Sequence, residues 1–405
     1  MSTILFAWEL GGGLGHLLQF APLARALARS GHRIAFALKD LRLVRPLLGT
    51  LPLELWQAPQ WLGGGRRDLR PVNYAELLMQ FGYLDPHGLA GVVEAWRNLY
   101  RQVRPDLIVV NHAPTALLAA SGLPIARAIV DMGFGLPPKR SPLPPMRWWA
   151  PVDQARLVRS EARVVATINA LARAFRFPPR ASLAALFDAE LRFLCTFPEL
   201  DHYPGREAGA AYAGPLFTAD AGRLPRWPSG TGPRLFAYLD LPAEISACAL
   251  AAFAALDCRT LIYAPCVARD LGFRITGGRI ALVGEPVHVG RVLADADAVI
   301  CHGSGLSAAA LLAGKPVLLV ARHLEQYLVG LRIRQLGAGA LLPADEIATG
   351  FASAVHDLLA VEDRAAAARR FAARHATFSA AAQLADLHAR CEAVLGRAAG
   401  TAVGS

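Results

Sequence analysis

The sequence predicts an α/β protein with two parallel β-sheets, each covered by helices on both faces, and three observations support this prediction. Runs rich in Ile, Val, Leu and Phe recur along the chain with helical patterns between them. Uninterrupted apolar runs of this kind are typical of parallel strands that are buried on both faces. The runs form two series separated by a Gly- and Pro-rich segment, and 405 residues are many for a single core. We therefore expect two Rossmann-like domains, residues 1–220 and 221–405.

The predicted elements follow from these runs. The strands are expected at residues 3–9, 32–38, 106–111 and 124–130, and then at 234–239, 259–264, 280–284, 297–301 and 316–321. After the first strand, the glycines of "GGGLG" let the chain turn into a helix from His16 to Ser30, which Gly31 ends. A second unit of this kind ends a strand at Cys301 and continues into a helix from Leu306 to Ala313.

Composition excludes several classes of protein. Apolar residues make up 54% of the chain and charged residues 18%, as in a globular protein. No apolar run reaches the ~18–20 residues that cross a bilayer, and the N-terminus lacks a signal pattern, so we expect a cytoplasmic protein. The net charge of +10 comes from dispersed arginines without a basic–aromatic motif, so no nucleic-acid partner is expected. The six cysteines and the histidines lack metal-ligand spacing, so we expect no metal.

A Pro-rich stretch, "GFGLPPKRSPLPPMRWWAP", follows the strand at 124–130 and cannot form regular structure. Long loops inside compact domains are often functional. Arg147, Trp148 and Trp149 at its end suit a lipid or an aromatic acceptor, and a peripheral membrane contact stays open. The alternative is that the two indoles cap the core beneath the loop.

His16 stands where a dinucleotide-binding loop, G-x-G-x-x-G, has its third glycine after Gly11 and Gly13. Asp40 at the end of the second strand also suits a ribose-binding acid, so a dinucleotide site is a serious alternative. The third glycine allows the helix to pack closely on the strand, and an imidazole would obstruct that packing. At a helix N-terminus the dipole keeps an imidazole neutral, and a neutral imidazole can act as a general base. The remaining alternative is an imidazole that only caps the turn.

The second turn, "CHGSGLS", predicts an anion site. Backbone N–H groups and the helix dipole at such a turn suit a diphosphate, and Ser304 and Ser307 would add hydroxyl donors. Glu325 and Gln326 lie just beyond the strand at 316–321, at the sheet edge where ligands bind. Their side chains can accept from and donate to sugar hydroxyls.

These motifs resemble those of the GT-B glycosyltransferases, and most of all bacterial family 1 UDP-glycosyltransferases. "CHGSGLS", "LAGKP", "LEQ" and "LGAG" follow one another like the donor-site motifs of that family. "GHLLQFAPLARALARSGHRI" is similar to the opening of the family. The resemblance implies two domains that face each other across a cleft, with the last helix packing back on the N-terminal one. It also implies metal-independent transfer of a hexose-type sugar from a nucleotide-diphosphate sugar to an acceptor hydroxyl, with inversion.

The resemblance assigns roles to individual residues. His16 would be the catalytic base. Because Asn111 stands where many relatives have an aspartate, the group that orients His16 would be absent or would come from elsewhere, such as Asp131 or Glu9, and we expect Asp131 to be catalytic as well. The other expected contacts are His302, Gly303, Ser304, Gly305 and Ser307 to the diphosphate, Glu325 and Gln326 to the sugar, Val287 and His288 to the base, and Gly12, Gly13, Gly15 and Phe134 to the acceptor. The acceptor would be a small molecule, a lipid or a glycan, and no cofactor is expected beyond the nucleotide sugar.

The sequence also departs from the family pattern. A gapless comparison places Cys301 rather than His302 at the phosphate-binding histidine, and Ala310 replaces a ribose-binding glutamate. Glu325 replaces the usual aspartate, which leaves the sugar open. Three alternatives therefore remain: a non-catalytic nucleotide-sugar-binding auxiliary protein, an NDP-sugar 2-epimerase and a nucleic-acid-binding protein.

Overall fold

The structure is a computed structural model, and it describes residues 1–12, 15–42, 44–49, 51–63, 70–207, 209–217, 222–239, 243–264 and 276–402. Gly13 and the predicted boundary at residue 220 lie outside these ranges. The chain divides into two compact units. The N-terminal unit contains Met1–Thr196, Tyr203–Gly214 and the chain from Ala381 onward, and the C-terminal unit contains Phe197–His202 and Pro215–Ala380. Within the described residues, no helix is long and apolar enough to span a membrane.

The N-terminal unit contains a parallel sheet. Its described strands are β1 (Thr3–Trp8), β2 (Arg33–Leu38), β3 (Glu54–Gln57), β4 (Leu107–Asn111), β5 (Ala126–Asp131) and β6 (Leu191–Leu194). They lie in the order β3-β2-β1-β4-β5-β6, and each neighbouring pair is parallel. The predicted strands are confirmed within a few residues. The sequence did not predict β3 and β6, because these short edge strands lack a long apolar run.

Helices cover this sheet and position the first glycine turn. They are α1 (Gly15–Arg29), α2 (Val44–Leu48), α3 (Tyr74–Met79), α4 (Pro86–Val103), α5 (Pro114–Ala120) and α6 (Gln154–Phe175). Helix α1 buries Leu17, Phe20, Leu23 and Leu27, and Gly31 follows its end with a φ of +85° that glycine adopts readily.

The C-terminal unit contains a second sheet. Its described strands are β7 (Arg234–Tyr238), β8 (Arg259–Tyr263), β9 (Thr276–Gly277), β10 (Ile280–Val283), β11 (Ala298–Cys301), β12 (Val317–Ala321) and β13 (Gly339–Pro343). Their order is β13-β12-β11-β7-β8-β10-β9, and β9 alone among these strands runs antiparallel to its neighbour. The five predicted strands are confirmed. Strands β9 and β13 were not predicted from the sequence, because β9 is short and β13 contains Gly and Pro.

Helices follow these strands in the described part of the second unit. They are α7 (Ala243–Ala255), α8 (Val289–Asp295), α9 (Ser304–Leu312), α10 (Leu324–Gln335), α11 (Ile347–Ala360) and α12 (Glu362–Arg374). The last helix, α13 (Ala380–Ala402), packs on the N-terminal unit. There Glu392 pairs with His32 at 2.9 Å, and the Arg390 guanidinium lies 4.7 Å from the centre of the Phe193 ring.

In each sheet, the order of the described parallel strands reverses direction at one point. In the first sheet this switch point lies between β1 and β4, and in the second it lies between β7 and β11. Ligands of open α/β sheets bind outside the carboxyl ends of the strands at such points. His16 follows β1 and His302 follows β11, so each predicted glycine turn lies at a switch point.

Candidate active site

His16 is held at the first switch point by two neighbours. It is the second residue of α1, its side chain is buried, and its ring stacks on Trp8 with the centroids 4.9 Å apart. Its Nδ1 atom lies 2.5 Å from Oδ1 of Asn111, the last residue of β4. Trp8 and Asn111 are partners in the register of β1 and β4, so the two strand ends together fix the ring.

The contacts of Asn111 determine which nitrogen of His16 carries the hydrogen. The Asn111 Nδ2 atom donates to the carbonyl of Val130 at 2.6 Å and to Oε1 of Gln19 at 3.0 Å. A backbone carbonyl can only accept, so the amide nitrogen must face Val130 and the amide oxygen must face His16. Nδ1 of His16 therefore donates to Asn111. In the neutral imidazole this leaves the lone pair on Nε2.

The orienting partner of His16 is thus Asn111, the residue that the sequence analysis treated as a missing carboxylate. Asp131 Oδ1 accepts from the N–H groups of Gly133 at 2.7 Å and Gly135 at 3.0 Å. The carboxylate of Asp131 therefore folds the loop after β5. Glu9 accepts from the N–H of Thr115 at 2.9 Å, at the start of α5.

Glu9 is an unusual carboxyl group, because it is fully buried at the end of the first strand. Burial raises the pKa of Glu9 to about 7, although its hydrogen bonds to Thr115 and the charge of Lys39 act in the opposite direction. The Lys39 ammonium donates to the carbonyl of Gly11 at 2.7 Å. The first turn therefore lies beside a carboxyl group that titrates near neutral pH.

Gly11 brings a second histidine close to His16. Its φ is +81°, and a Cβ atom added to it would lie 2.7 Å from Nε2 of His16 and 3.2 Å from Nδ1 of His112. His112 follows Asn111 and packs against Phe134, with ring centroids 5.6 Å apart. Of the predicted acceptor contacts, Phe134 is thus buried beside His112.

The other predicted acceptor residues lie at the rim of the first turn. Gly12 and Gly15 are exposed there, and Gly13 lies outside the described residues. Gly12 also borders an open cavity of about 430 Å³, within the size range of small-molecule sites. Its lining residues are Trp8, Gly12, Lys39, Asp40, Leu41, Arg42, Gln57 and Gln60. Asp40, the candidate ribose-binding acid, accepts hydrogen bonds from Arg42.

At the second switch point, the histidine at the strand end is His302 rather than Cys301. Cys301 is fully buried in β11, and burial raises the pKa of its thiol to about 12. The Nδ1 atom of His302 lies 3.1 Å from the carbonyl oxygen of Tyr238, and the two rings are 4.6 Å apart. Because that carbonyl can only accept, Nδ1 of His302 carries a hydrogen.

The N-terminus of α9 has room for an anion. Gly303 is its N-cap and makes no side-chain cap bond, and a Cβ added to Gly303 or Gly305 would meet no described atom within 4 Å. Ser304 is the first helical residue and is half-buried. Ser307 differs from expectation, because it is fully buried and its hydroxyl donates to the carbonyl of Ser304 at 2.9 Å.

The remaining predicted donor residues lie on two helices. Glu325 and Gln326 are in the first turn of α10, and Gln326 Oε1 accepts from the N–H of Arg322 at 2.8 Å. Val287 is buried, and His288 is the N-cap of α8, where its Nδ1 accepts from the N–H of Arg291. The Gln326 and His288 side chains thus also hold their own helices.

Sequence reasoning missed Trp8, Tyr74 and His112 as neighbours of the first turn. Tyr74 lies on α3, and its ring centroid is 5.9 Å from that of His112. These residues come from separate segments, so their spacing carries no signal. The position of His112 next to Asn111 was the only such signal in the sequence. In the described part of the chain, no three His, Cys, Asp or Glu side chains form a metal-binding group.

The chain has the fold of the GT-B glycosyltransferases, as the sequence resemblance predicted, because solved glycosyltransferase structures match it over nearly its whole length. No protein-family model matches the chain, and no curated protein matches it. Among solved structures, the calicheamicin glycosyltransferase CalG4 is similar with a TM-score of 0.68 and 20% identity, over 98% of both chains. The spinosyn rhamnosyltransferase SpnG is similar with a TM-score of 0.65 and 19% identity, over 96% of this chain and 99% of that one. The glycosyltransferase SnogD from Streptomyces nogalater has a TM-score of 0.59 and 21% identity, over 96% of this chain and 99% of that one.

Proposed function

We propose that this protein is a glycosyltransferase that moves a hexose-type sugar from a nucleotide-diphosphate sugar to an acceptor hydroxyl, with His16 as the general base. One observation carries the proposal. Asn111 holds His16 in the tautomer with its lone pair on Nε2, at the switch point where ligands bind. A neutral imidazole in a fixed tautomer is suited to remove a proton from a hydroxyl.

In the proposed reaction, Nε2 of His16 takes the proton as the acceptor oxygen attacks the anomeric carbon. The bond from that carbon to the diphosphate breaks, and the diphosphate leaves with the electron pair. Attack from the opposite face inverts the anomeric configuration. Gly12, Gly13, Gly15 and Phe134 would contact the acceptor.

The leaving diphosphate would be stabilised at the N-terminus of α9. His302, Gly303, Ser304 and Gly305 surround this helix start, whose N–H groups and dipole favour negative charge. His302 offers a further N–H when its imidazole is protonated. These donors can stabilise the charge without a divalent metal. The internal bond of Ser307 makes it a support for the turn rather than a contact to phosphate.

Glu325, Gln326, Val287 and His288 complete the proposed donor site. Glu325 and the amide nitrogen of Gln326 would bind sugar hydroxyls, while the Gln326 oxygen holds the helix start. Val287 and His288 would contact the base. SpnG has been determined with thymidine diphosphate and with the spinosyn aglycone. A dTDP-sugar is therefore the first donor to test, together with the UDP-sugars that the sequence resemblance implies and with small-molecule acceptors.

Asn111 also favours a second candidate function. A neutral amide stabilises the imidazolium form of His16 less than a carboxylate does. A nucleotide-sugar-binding auxiliary protein would tolerate that loss, because it binds the donor without turning it over.

The two candidates separate in one experiment. The purified protein is incubated with dTDP-glucose, dTDP-rhamnose, UDP-glucose or GDP-mannose and with umbelliferone, and the products are analysed by mass spectrometry and NMR. Nucleotide affinity is measured in parallel by calorimetry, and EDTA tests metal dependence. We expect a glycoside of inverted configuration that forms equally with EDTA. Nucleotide binding without any glycoside or donor hydrolysis would favour the auxiliary protein, and no binding at all would refute both candidates.

A further inference from the structure

The open cavity beside the first turn is lined largely by charged and amide side chains that the proposed transfer does not use. Its volume is about 430 Å³, and it lies at the carboxyl ends of β1, β2 and β3, the edge of the sheet where ligands bind. Trp8 ends β1, Lys39 follows β2 and Gln57 ends β3. Three adjacent strand ends thus contribute to one cavity within the N-terminal unit.

Lys39 supplies a cation to this cavity. Its side chain is half-buried, and its Nζ atom donates to the carbonyl of Gly11 at 2.7 Å. An ammonium group has three N–H donors. Gly11 takes one of them, and no carboxylate of the described residues lies within ion-pair distance of Nζ. Two donors of a half-buried cation are therefore available to a ligand.

The acidic groups near Lys39 do not neutralise it. Asp40 is engaged by Arg42, whose Nε and Nη2 atoms donate to its two carboxylate oxygens at 3.0 and 2.6 Å, so this pair has no net charge. The other acidic group that attracts Lys39 is Glu9, whose pKa of about 7 leaves it partly uncharged at neutral pH. The cavity therefore has a net positive charge.

The backbone of Lys39 is fixed from both neighbouring strands. Its N–H donates to the carbonyl of Trp8 at 2.9 Å. Its carbonyl accepts from Nε2 of Gln57 at 2.9 Å and from Nε2 of Gln60 at 3.4 Å. The base of the lysine side chain is thus held in place before a ligand arrives, which lowers the entropic cost of binding.

Gly11 connects the cavity to the proposed base. Its carbonyl accepts from Lys39, and a Cβ added to it would lie 2.7 Å from Nε2 of His16. A carbonyl oxygen lies about 3 Å from the Cβ position of its own residue, so Nζ of Lys39 and Nε2 of His16 are at most about 9 Å apart. Trp8 also borders the cavity and stacks on the imidazole. A small acceptor is long enough to extend from one nitrogen to the other.

We propose that this cavity binds a carboxylate of the acceptor, and that Lys39 selects acidic acceptors by donating to that carboxylate. This inference rests on the proposed function, in which His16 takes the proton of the acceptor hydroxyl. A carboxylate matches the ammonium in charge, and its oxygens can accept the two remaining N–H groups. Lys39 is then a specificity-determining residue that binds the far end of the acceptor.

Two coumarins that differ only in this group test the proposal. Umbelliferone-3-carboxylate carries a carboxylate at the end of the ring system opposite the hydroxyl, and umbelliferone lacks it. Fluorescence titration without nucleotide sugar gives the affinity of each. Lys39→Met removes the ammonium and keeps an apolar stem, and Lys39→Arg keeps the charge. Lys315→Met is the matched control, because Lys315 is also half-buried but lies just before β12, in the C-terminal unit.

We expect the wild type to bind umbelliferone-3-carboxylate about 10- to 50-fold more tightly than umbelliferone, the value of a hydrogen bond between charged groups. Lys39→Met should lose this preference, Lys39→Arg should keep part of it, and Lys315→Met should keep all of it. A general disturbance of the first turn would weaken both coumarins, so the ratio of the two affinities reports on the carboxylate. A wild type without the preference, or a Lys39→Met variant that retains it, would overturn the inference.

Transfer kinetics separate this inference from the proposed function. With a nucleotide sugar that the wild type uses, kcat/KM should be higher for the acid than for umbelliferone by about the same factor, and Lys39→Met should abolish the difference. A wild type that binds the acid through Lys39 but transfers no sugar would refute only the proposed function. Transfer to umbelliferone, with no preference for the acid in affinity or kcat/KM, would refute only this inference.

Discussion

Each glycine turn holds an imidazole in a fixed orientation, but the hydrogen-bond partner of the imidazole differs between the two turns. At each switch point an imidazole packs against the aromatic residue that ends a strand, Trp8 for His16 and Tyr238 for His302. The Nδ1 atom of each histidine forms a hydrogen bond with a residue of the strand on the other side of the switch point. The partner of His16 is a side-chain amide, Asn111, whereas the partner of His302 is a backbone carbonyl.

This difference bears on function. A backbone carbonyl holds His302 whatever residue occupies position 238, so the tautomer at the second turn depends little on sequence. The tautomer of His16 depends on Asn111, which is itself held by Val130 and Gln19. His16 also lies inside its helix, while His302 precedes the N-cap of α9 and leaves that helix start open. These differences support the proposed roles, with the base at the first turn and the diphosphate at the second.

The largest expected effect is on the first turn. Because His16 would be the base, His16→Ala should lower kcat by about two to four orders of magnitude. The affinity for dTDP or UDP should not change, since those ligands are assigned to the second turn. Steady-state kinetics and calorimetry on the same preparation measure both quantities. A comparable loss of nucleotide affinity would contradict the assignment of the base to the first turn and of the nucleotide to the second.

The second expected effect is a change of the free energy of unfolding with pH, which Glu9 beside the first turn causes. Burial raises the pKa of Glu9 from 4.5 to about 7, so between these values the folded protein binds more protons than the unfolded chain. The free energy of unfolding should therefore fall as pH rises through this window and level off above it. Glu9→Gln keeps an acceptor for Thr115, so at pH 8 it should be more stable than the wild type by about 2–3 kcal/mol. Urea unfolding of both proteins at several pH values provides the comparison, and equal pH slopes would exclude a titrating Glu9.

A third test measures whether activity needs the open space beside Nε2 of His16. Gly11→Ala puts a Cβ 2.7 Å from that nitrogen, so we expect kcat/KM to fall about 10- to 100-fold. Gly31→Ala is the matched control, because Gly31 also has a left-handed φ but a Cβ there meets no described atom within 4 Å. Both variants carry the backbone strain, and only the first should lose activity. If both variants lose activity equally, backbone strain explains the loss and the space beside Nε2 does not.

The smallest expected effect is at the second turn. Removing the His302 imidazole leaves the backbone N–H groups and the dipole of α9 in place. His302→Ala should therefore weaken dTDP or UDP binding only about tenfold, the value of one charge-assisted hydrogen bond. Turnover at saturating donor should fall less than in His16→Ala. Calorimetry that shows unchanged affinity would remove His302 from the diphosphate site.

The sequence predicted the two sheets because buried parallel strands leave long apolar runs, as in β1 and β12. It did not predict the edge strands β3 and β13, whose residues are partly exposed and carry no such run. At the candidate site, the glycine turns predicted roles for His16 and for the helix start at Ser304. The partners of His16 were harder to predict. Asn111 was read as a missing carboxylate because a sequence does not show that Val130 and Gln19 orient its amide oxygen toward His16.

His112 and Ser307 are two further residues whose surroundings could not be predicted from the sequence. The left-handed backbone of His112 and its approach to Gly11 arise only when β1 and β4 pair, so no local pattern marks them. The hydroxyl of Ser307 looked available for phosphate, but its place in α9 directs it to the carbonyl of Ser304. In both cases the role of a side chain depends on its local fold and not on its residue type.

The proposed function depends most directly on one contact, in which Asn111 holds His16 with its hydrogen on Nδ1 and its lone pair on Nε2. Long-range proton–nitrogen correlation NMR of the histidine side chains at pH 8 measures this directly, with His16→Ala to assign the signals. We expect a protonated Nδ1 and an unprotonated Nε2 for His16, and a mixture of tautomers in Asn111→Ala. A protonated Nε2 in the neutral ring of the wild type would contradict it.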